Sequence, residues 1–165
     1  METKKVLTRE NIPTEEISAT VTKFYKGMKL EYTEVFYLDY IVDEDTGMIN
    51  KDLKDKHYTK NQMERNIKAL KNAYHIVKGS ASPTEIIDFR KKYKISASIF
   101  SIILGFSKNT ISNIETEGIT SLSTGRLIKI CLDDKNVITR YVQLCDAIDK
   151  GKRDEISRRL MEEYI

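Results

Sequence analysis

The segment from Ile95 to Glu115, ISASIFSIILGFSKNTISNIE, constrains the fold more than any other part of the chain. Phe100, Leu104, Ile111 and Ile114 recur at helical spacing on both sides of Gly105. Ser101 is small enough for a second helix to approach the first closely. Gly105 can take the left-handed backbone of a tight turn, Phe106 fills the corner, and Ser107 is placed to cap the helix that follows. Together they specify two short helices crossing steeply, the geometry of a helix-turn-helix motif.

If the apolar residues of the second helix face inward, Lys108, Asn109, Ser112 and Asn113 lie on its outer face. Those side chains are of the donor and acceptor types that reach base edges and phosphates. The expected division is base reading by Lys108, Asn109 and Asn113, and phosphate contact by Ser107, Thr110 and Ser112. The bland alternative is a pair of ordinary amphipathic helices with a solvated polar face.

Charge argues neither way. The chain carries 28 basic and 25 acidic groups, a net charge of +3, divided almost evenly between its halves. A DNA-binding surface then requires basic groups gathered on one face. With 40% hydrophobic residues and no run near the ~18 consecutive apolar residues of a membrane span, the expectation is a cytoplasmic globular protein without membrane association. Cys131 and Cys145 lack disulfide or metal-ligand spacing and are expected to be small core residues.

Residues 1–16 are polar and contain Pro13, which suggests a loosely held arm. Ile17 to Val42 is rich in β-branched and aromatic residues around Lys26-Gly27-Met28, suggesting a hairpin with Ile17, Ala19, Val21, Leu30 and Tyr32 on one covered face. DEDTG at 43–47 is a turn. Thr59 then caps a helix reaching Val77, with Met63, Ile67, Leu70, Tyr74 and Val77 as its apolar stripe. Gly79-Ser-Ala-Ser-Pro83 stops that helix and starts another. The expected domains are therefore 1–79, α+β, and 80–165, all-α, with helices near 83–93, 97–104, 108–116, 122–132, 137–149 and 153–163.

Ile95-Ser96, Phe100-Ser101, Leu104-Gly105-Phe106-Ser107, Thr110-Ile111-Ser112, Glu115 and Gly118 together resemble the Xre/Cro family of repressor domains. The resemblance implies a lambda-repressor-like helical domain and an ion pair between Arg90 and Glu115. Two departures stand out. Ala97 occupies the place of a Gln that contacts DNA in the family, and Glu115-Thr-Glu-Gly118 lengthens the usual turn. The hairpin, the helix with NIKALKNAY at 66–74 and the SPTEI linker at 82–86 further resemble the MqsA/YgiT-type antitoxins. That likeness implies an operator-binding homodimer whose first domain holds a toxin, as in type II toxin–antitoxin pairs that repress their own operon. The four cysteines of the family's zinc site are missing, so no metal is expected. Packing of Phe24, Tyr25, Tyr32, Phe36 and Tyr37 must take the metal's place.

No catalytic pattern accompanies His57 or His75. Asp43, Glu44, Asp45 and Asp52 depart from calcium-loop spacing and suggest a solvated turn. Neither an enzyme nor a cofactor is expected. At the C-terminus, Val137, Ile138, Tyr141, Val142, Leu144, Cys145 and Ile148, with Ile156, Leu160, Met161 and Tyr164, form broad apolar faces. They suit either packing within the chain or a two-fold dimer interface. Alongside the regulator stands a second expectation, a protein-interaction module that keeps the fold and binds a protein instead of DNA.

Overall fold

The computed structural model describes residues 4–162. Among them the protein is mixed α+β, with five strands in two sheets and seven helices. It divides into two compact units, Met1–Tyr74 and His75–Ile165. The division falls in the last turn of a helix, slightly before the Gly79–Pro83 break that the sequence suggests.

In the first unit the expected arm is instead a small hairpin, β1 (Lys5–Leu7) and β2 (Pro13–Glu15), antiparallel with Lys5 opposite Glu15. Asn11 takes φ 60°, and its N–H donates to the Thr8 carbonyl at 3.0 Å. Pro13 begins its strand, where a missing N–H is tolerated. The polar composition concealed the hairpin: none of its strand residues is fully buried, and Thr8 bonds Asn11 and Ile12 across its turn.

The main sheet runs β3 (Ile17–Tyr25), β4 (Met28–Val42) and β5 (Ile49–His57), antiparallel in that order. Its first turn has only two residues, Lys26 and Gly27, both with positive φ, as a type I′ turn requires. Met28 already pairs with Tyr25. Leu30 and Tyr32 are buried while Lys29, Glu31 and Thr33 are exposed, the alternation of a half-covered sheet. Phe24, expected in the core, is 74% exposed. Its neighbour Tyr25 packs edge-on against Tyr74 at 5.5 Å, and successive strand residues point to opposite faces. Tyr32, Phe36 and Tyr37 are buried as a core requires. No strand signal in the sequence marks β5. Its residues, INKDLKDKH, are nearly all exposed, so pairing with β4 and not patterning makes it a strand.

α1 (Lys60–Val77) opens with a reciprocal cap. The Gln62 N–H donates to Thr59 Oγ1 at 3.1 Å and the Thr59 N–H to Gln62 Oε1 at 3.0 Å. The expected apolar stripe is only partly covered, with Met63 50% and Ile67 53% exposed. Polar groups set the helix's rotation instead. Gln62 is fully buried and donates to Glu16, which also pairs with Arg65. Asn66 accepts from the Val35 N–H at 2.8 Å and donates to the Val35 carbonyl at 2.9 Å. The pairing with β5 extends only to Tyr37 opposite His57, so Asn66 supplies the hydrogen bonds that a strand would give Val35.

The second unit holds six helices: α2 (Pro83–Tyr93), α3 (Ala97–Ile103), α4 (Thr110–Glu117), α5 (Leu122–Asp133), α6 (Lys135–Leu144) and α7 (Lys150–Met161). Ser82 and Glu85 form a capping box at the start of α2. One core contains Ile86, Phe100, Ile111, Ile128, Ile138, Val142, Ile156 and Leu160, all essentially inaccessible. The last two helices start earlier than expected because Asp134 and Asp149 cap them. Ile138, Val142, Cys145, Ile148, Ile156 and Leu160 are consumed by this core, which removes most of the apolar face offered above for dimerisation. Leu144 and Met161 remain exposed; Tyr164 lies outside the described residues. Arg159 of α7 closes the C-terminus of α2, donating to the carbonyls of Lys94 at 2.8 Å and Tyr93 at 3.3 Å. Cys131 and Cys145 are free and buried, and burial pushes the Cys131 thiol up to about 11.

Lys129 reaches Glu85 Oε1 at 2.7 Å. That bond, with the Ser82 N–H bond, holds the Glu85 carboxyl below its ordinary value. A lowered folded-state value stabilises above the unfolded value of ~4.3 and is lost as pH falls through the lowered one. The stability gap between the native chain and Glu85→Gln, from urea titrations, is therefore expected to be constant near neutrality and to close only in acid. A gap unchanged into strong acid would contradict this.

Candidate nucleic-acid interface

α3 ends where Leu104 leaves the helix and Gly105 takes φ 79°. The Gly105 N–H donates to the Ile102 carbonyl at 3.0 Å and the Phe106 N–H to the Ser101 carbonyl at 2.9 Å, a Schellman closure. Phe106 is half-buried against the core. The turn that follows delivers α4 with Ile111 and Ile114 fully inward.

Ser101 does more than leave space. It is completely buried; its hydroxyl donates to the Ala97 carbonyl at 2.9 Å and accepts from the Ile111 N–H at 2.9 Å. It thus satisfies a first-turn donor of α4 from the neighbouring helix. The expected cap, Ser107, does not make this bond. The helix begins at Thr110, its N-cap is Asn109 without a side-chain bond, and the Ser107 hydroxyl pairs with that of Thr110 at 2.9 Å. A polar residue inside the apolar run IFSII was the available signal for the role of Ser101.

Ser107, Lys108, Asn109, Ser112 and Asn113 are exposed together, and Thr110 is half-buried beside them. Their hydrogen-bonding capacities differ. Ser112 donates its proton to the Asn109 carbonyl at 2.9 Å, which leaves its oxygen as an acceptor. The Ser107–Thr110 pair shares one internal bond and keeps one proton for an external acceptor. Lys108 and the amides of Asn109 and Asn113 supply the remaining donors.

Arg90 fixes the opposite side of α4. Its Nε and Nη2 donate to the Glu115 carboxylate at 2.5 and 2.8 Å, and Nη1 donates to the Ile95 carbonyl at 3.1 Å. α2, the α2–α3 loop and α4 are tied at one guanidinium. Elsewhere, Asp43 accepts from the N–H groups of Asp45 and Thr46, both at 2.9 Å, making the acidic segment a self-satisfied turn. Among the described residues, no three His, Cys, Asp or Glu side chains gather as metal ligands would, and no helix is long and apolar enough to cross a membrane.

No protein-family model matches the chain, and no curated protein matches it.

Proposed function

We propose that the protein is a sequence-specific DNA-binding regulator, with α3 and α4 as a helix-turn-helix of the Xre/Cro, lambda-repressor-like kind. The observation that carries this reading is the exposed set of Lys108 and Asn109, in the turn that enters α4, and Asn113, on a helix locked from behind by Ser101 and Arg90. A rigidly mounted polar helix end is what base reading needs: a bidentate amide–adenine contact discriminates by ~1–3 kcal/mol only when its geometry is fixed. The Ser107–Thr110 hydroxyl pair serves a phosphate. A homodimer would set two such helices about one DNA turn, ~34 Å, apart. Within this reading the protein is a cytoplasmic antitoxin that represses its own operon, and the first unit, with its exposed apolar residues, holds a toxin.

One observation favours a second reading, a module that binds a protein in place of DNA. Ala97, at the first position of α3, offers no polar group to a DNA backbone.

The test is a mobility-shift titration on the DNA upstream of the protein's own reading frame. The native chain is expected to shift that fragment specifically, with affinity falling steeply as salt rises. The triple variant Lys108→Ala, Asn109→Ala, Asn113→Ala is expected to lose the specific shift while remaining folded. Absence of any specific shift at low salt transfers support to the protein-partner reading.

A further inference from the structure

The polar bonds that set the rotation of α1 hold its apolar stripe off the sheet and leave a cleft between that helix and the covered face of β3 and β4. The cleft has a volume of about 280 Å³, near the lower end of small-molecule sites. One wall is Met63, Ile67 and Leu70, of which the first two are half exposed. The other is a row on the sheet. Lys23 pairs with Leu30, Val21 with Tyr32 and Ala19 with Glu34. From the hairpin turn inward the lining groups therefore run Lys23, Tyr32, Glu34, all on one face. Lys23 and Tyr32 are diagonal neighbours, about 7–8 Å apart and within reach of long side chains.

The polar groups of the cleft fall into two sets. At the inner end they are spent on one another. Glu34 accepts from the Tyr58 hydroxyl at 2.9 Å on one oxygen and from Lys56 at 3.1 Å on the other. Asn66 uses both ends of its amide on the Val35 backbone. At the outer end they are not spent. The Lys23 ammonium and the Tyr32 hydroxyl make no hydrogen bond or ion pair among the described residues. Burial, and then the Glu34 charge, hold the Tyr32 phenol above its ordinary value, so at neutral pH it keeps a proton to donate.

What the cleft offers is one uncompensated positive charge and one hydroxyl donor, side by side, next to an apolar wall. A carboxylate accepts from both at once through charge-assisted bonds. A cation finds no free acid here, because Glu34 is already paired, and a neutral molecule leaves Lys23 unanswered. We infer that this cleft binds a small, free monocarboxylic acid with an apolar chain or ring, its carboxylate between Lys23 and Tyr32 and its apolar part against Met63, Ile67 and Leu70. The cleft lies wholly within the first unit, and its occupancy does not depend on DNA binding.

The probe is sodium octanoate, titrated into the full-length chain by calorimetry and followed by heteronuclear NMR. The native chain is expected to bind it with a Kd below about 1 mM, with the shifted amides gathered on β3, β4 and α1. Lys23→Gln and Tyr32→Phe each remove one donor and keep the rest of the side chain's bulk. Each is expected to weaken binding at least about fivefold. Ile67→Trp fills the cleft from a half-exposed position and is expected to abolish binding while circular dichroism stays unchanged. Octylamine, the same chain with the opposite charge, is expected to bind at least about tenfold more weakly than octanoate. Absence of saturable octanoate binding in the millimolar range, binding that Lys23→Gln or Ile67→Trp leaves unchanged, or equal binding of octylamine overturns the inference.

Discussion

Gly125→Ala is expected to destabilise the second unit by ~2 kcal/mol or more, although alanine is the better helix former by about 1 kcal/mol. A Cβ at Gly125 would overlap Ser80 Oγ, lie 2.7 Å from Ser80 Cβ and press on Ile119 Cγ2 at 3.0 Å. Neither side can yield easily. The Gly125 carbonyl accepts from the Ala81 N–H at 3.0 Å, and its own N–H donates to Ser121 at 3.1 Å, so the helix backbone is held where it is. Ser80 is buried and follows the positive-φ Gly79 that closes α1, so the segment opposite is held as well. The measurement is thermal unfolding by circular dichroism, where each kcal/mol moves the midpoint by roughly 4–8 °C in a unit of this size. Ser80→Gly removes both clashing atoms, so the double variant is expected to recover much of the loss, with a coupling of about 1 kcal/mol or more. A Gly125→Ala chain that melts at or above the native temperature would show that this close approach does not exist.

That glycine shows where reading the sequence stops. Gly125 lies inside a helical pattern and signals nothing by itself; its necessity comes from Ser80, which reaches it only through the fold. The elements that local chemistry dictates were legible: the start of α2 from Ser82 and Pro83, the first turn of the main sheet from Gly27, and the α3 stop from Gly105. β5 was not, because a strand that buries almost nothing carries no burial pattern. The rotation of α1 misled for the opposite reason. Its apolar spacing implied one face, but Gln62, Arg65 and Asn66 find partners on Glu16 and Val35 and turn the helix to meet them. In the candidate site, the outward direction of Ser112 and Asn113 followed from spacing on a single helix, whereas Lys108 and Asn109, expected on the same helix, lie in the turn before it. The role of Ser101 did not, because its hydroxyl serves the backbone of a different helix.

Arg90→Met is expected to cost ~2–3 kcal/mol, less than the ~3–5 kcal/mol of a fully buried pair because both side chains retain a little solvent. The side chains of Arg90 and Glu115 are 16% and 12% exposed. Losing the guanidinium leaves the Glu115 carboxylate without a counter-charge and the Ile95 carbonyl without its donor. Arg90→Lys separates charge from geometry. A lysine keeps the positive charge but cannot make two parallel bonds to one carboxylate and a third to a carbonyl, so it is expected to recover only part of the loss. The apolar double variant Arg90→Met, Glu115→Leu is expected to lie closer to the native stability than Arg90→Met alone, since no unpaired charge remains. Such a result would leave the pair little role as a source of net stability. Its contribution would then be orientation, holding α4 at one angle to α2, and, under the proposed DNA-binding function, specific DNA affinity of the double variant would fall further than its stability does. If single and double variants lose stability and affinity in proportion, the pair acts through stability alone and the positioning of α4 rests on Ser101 and the core.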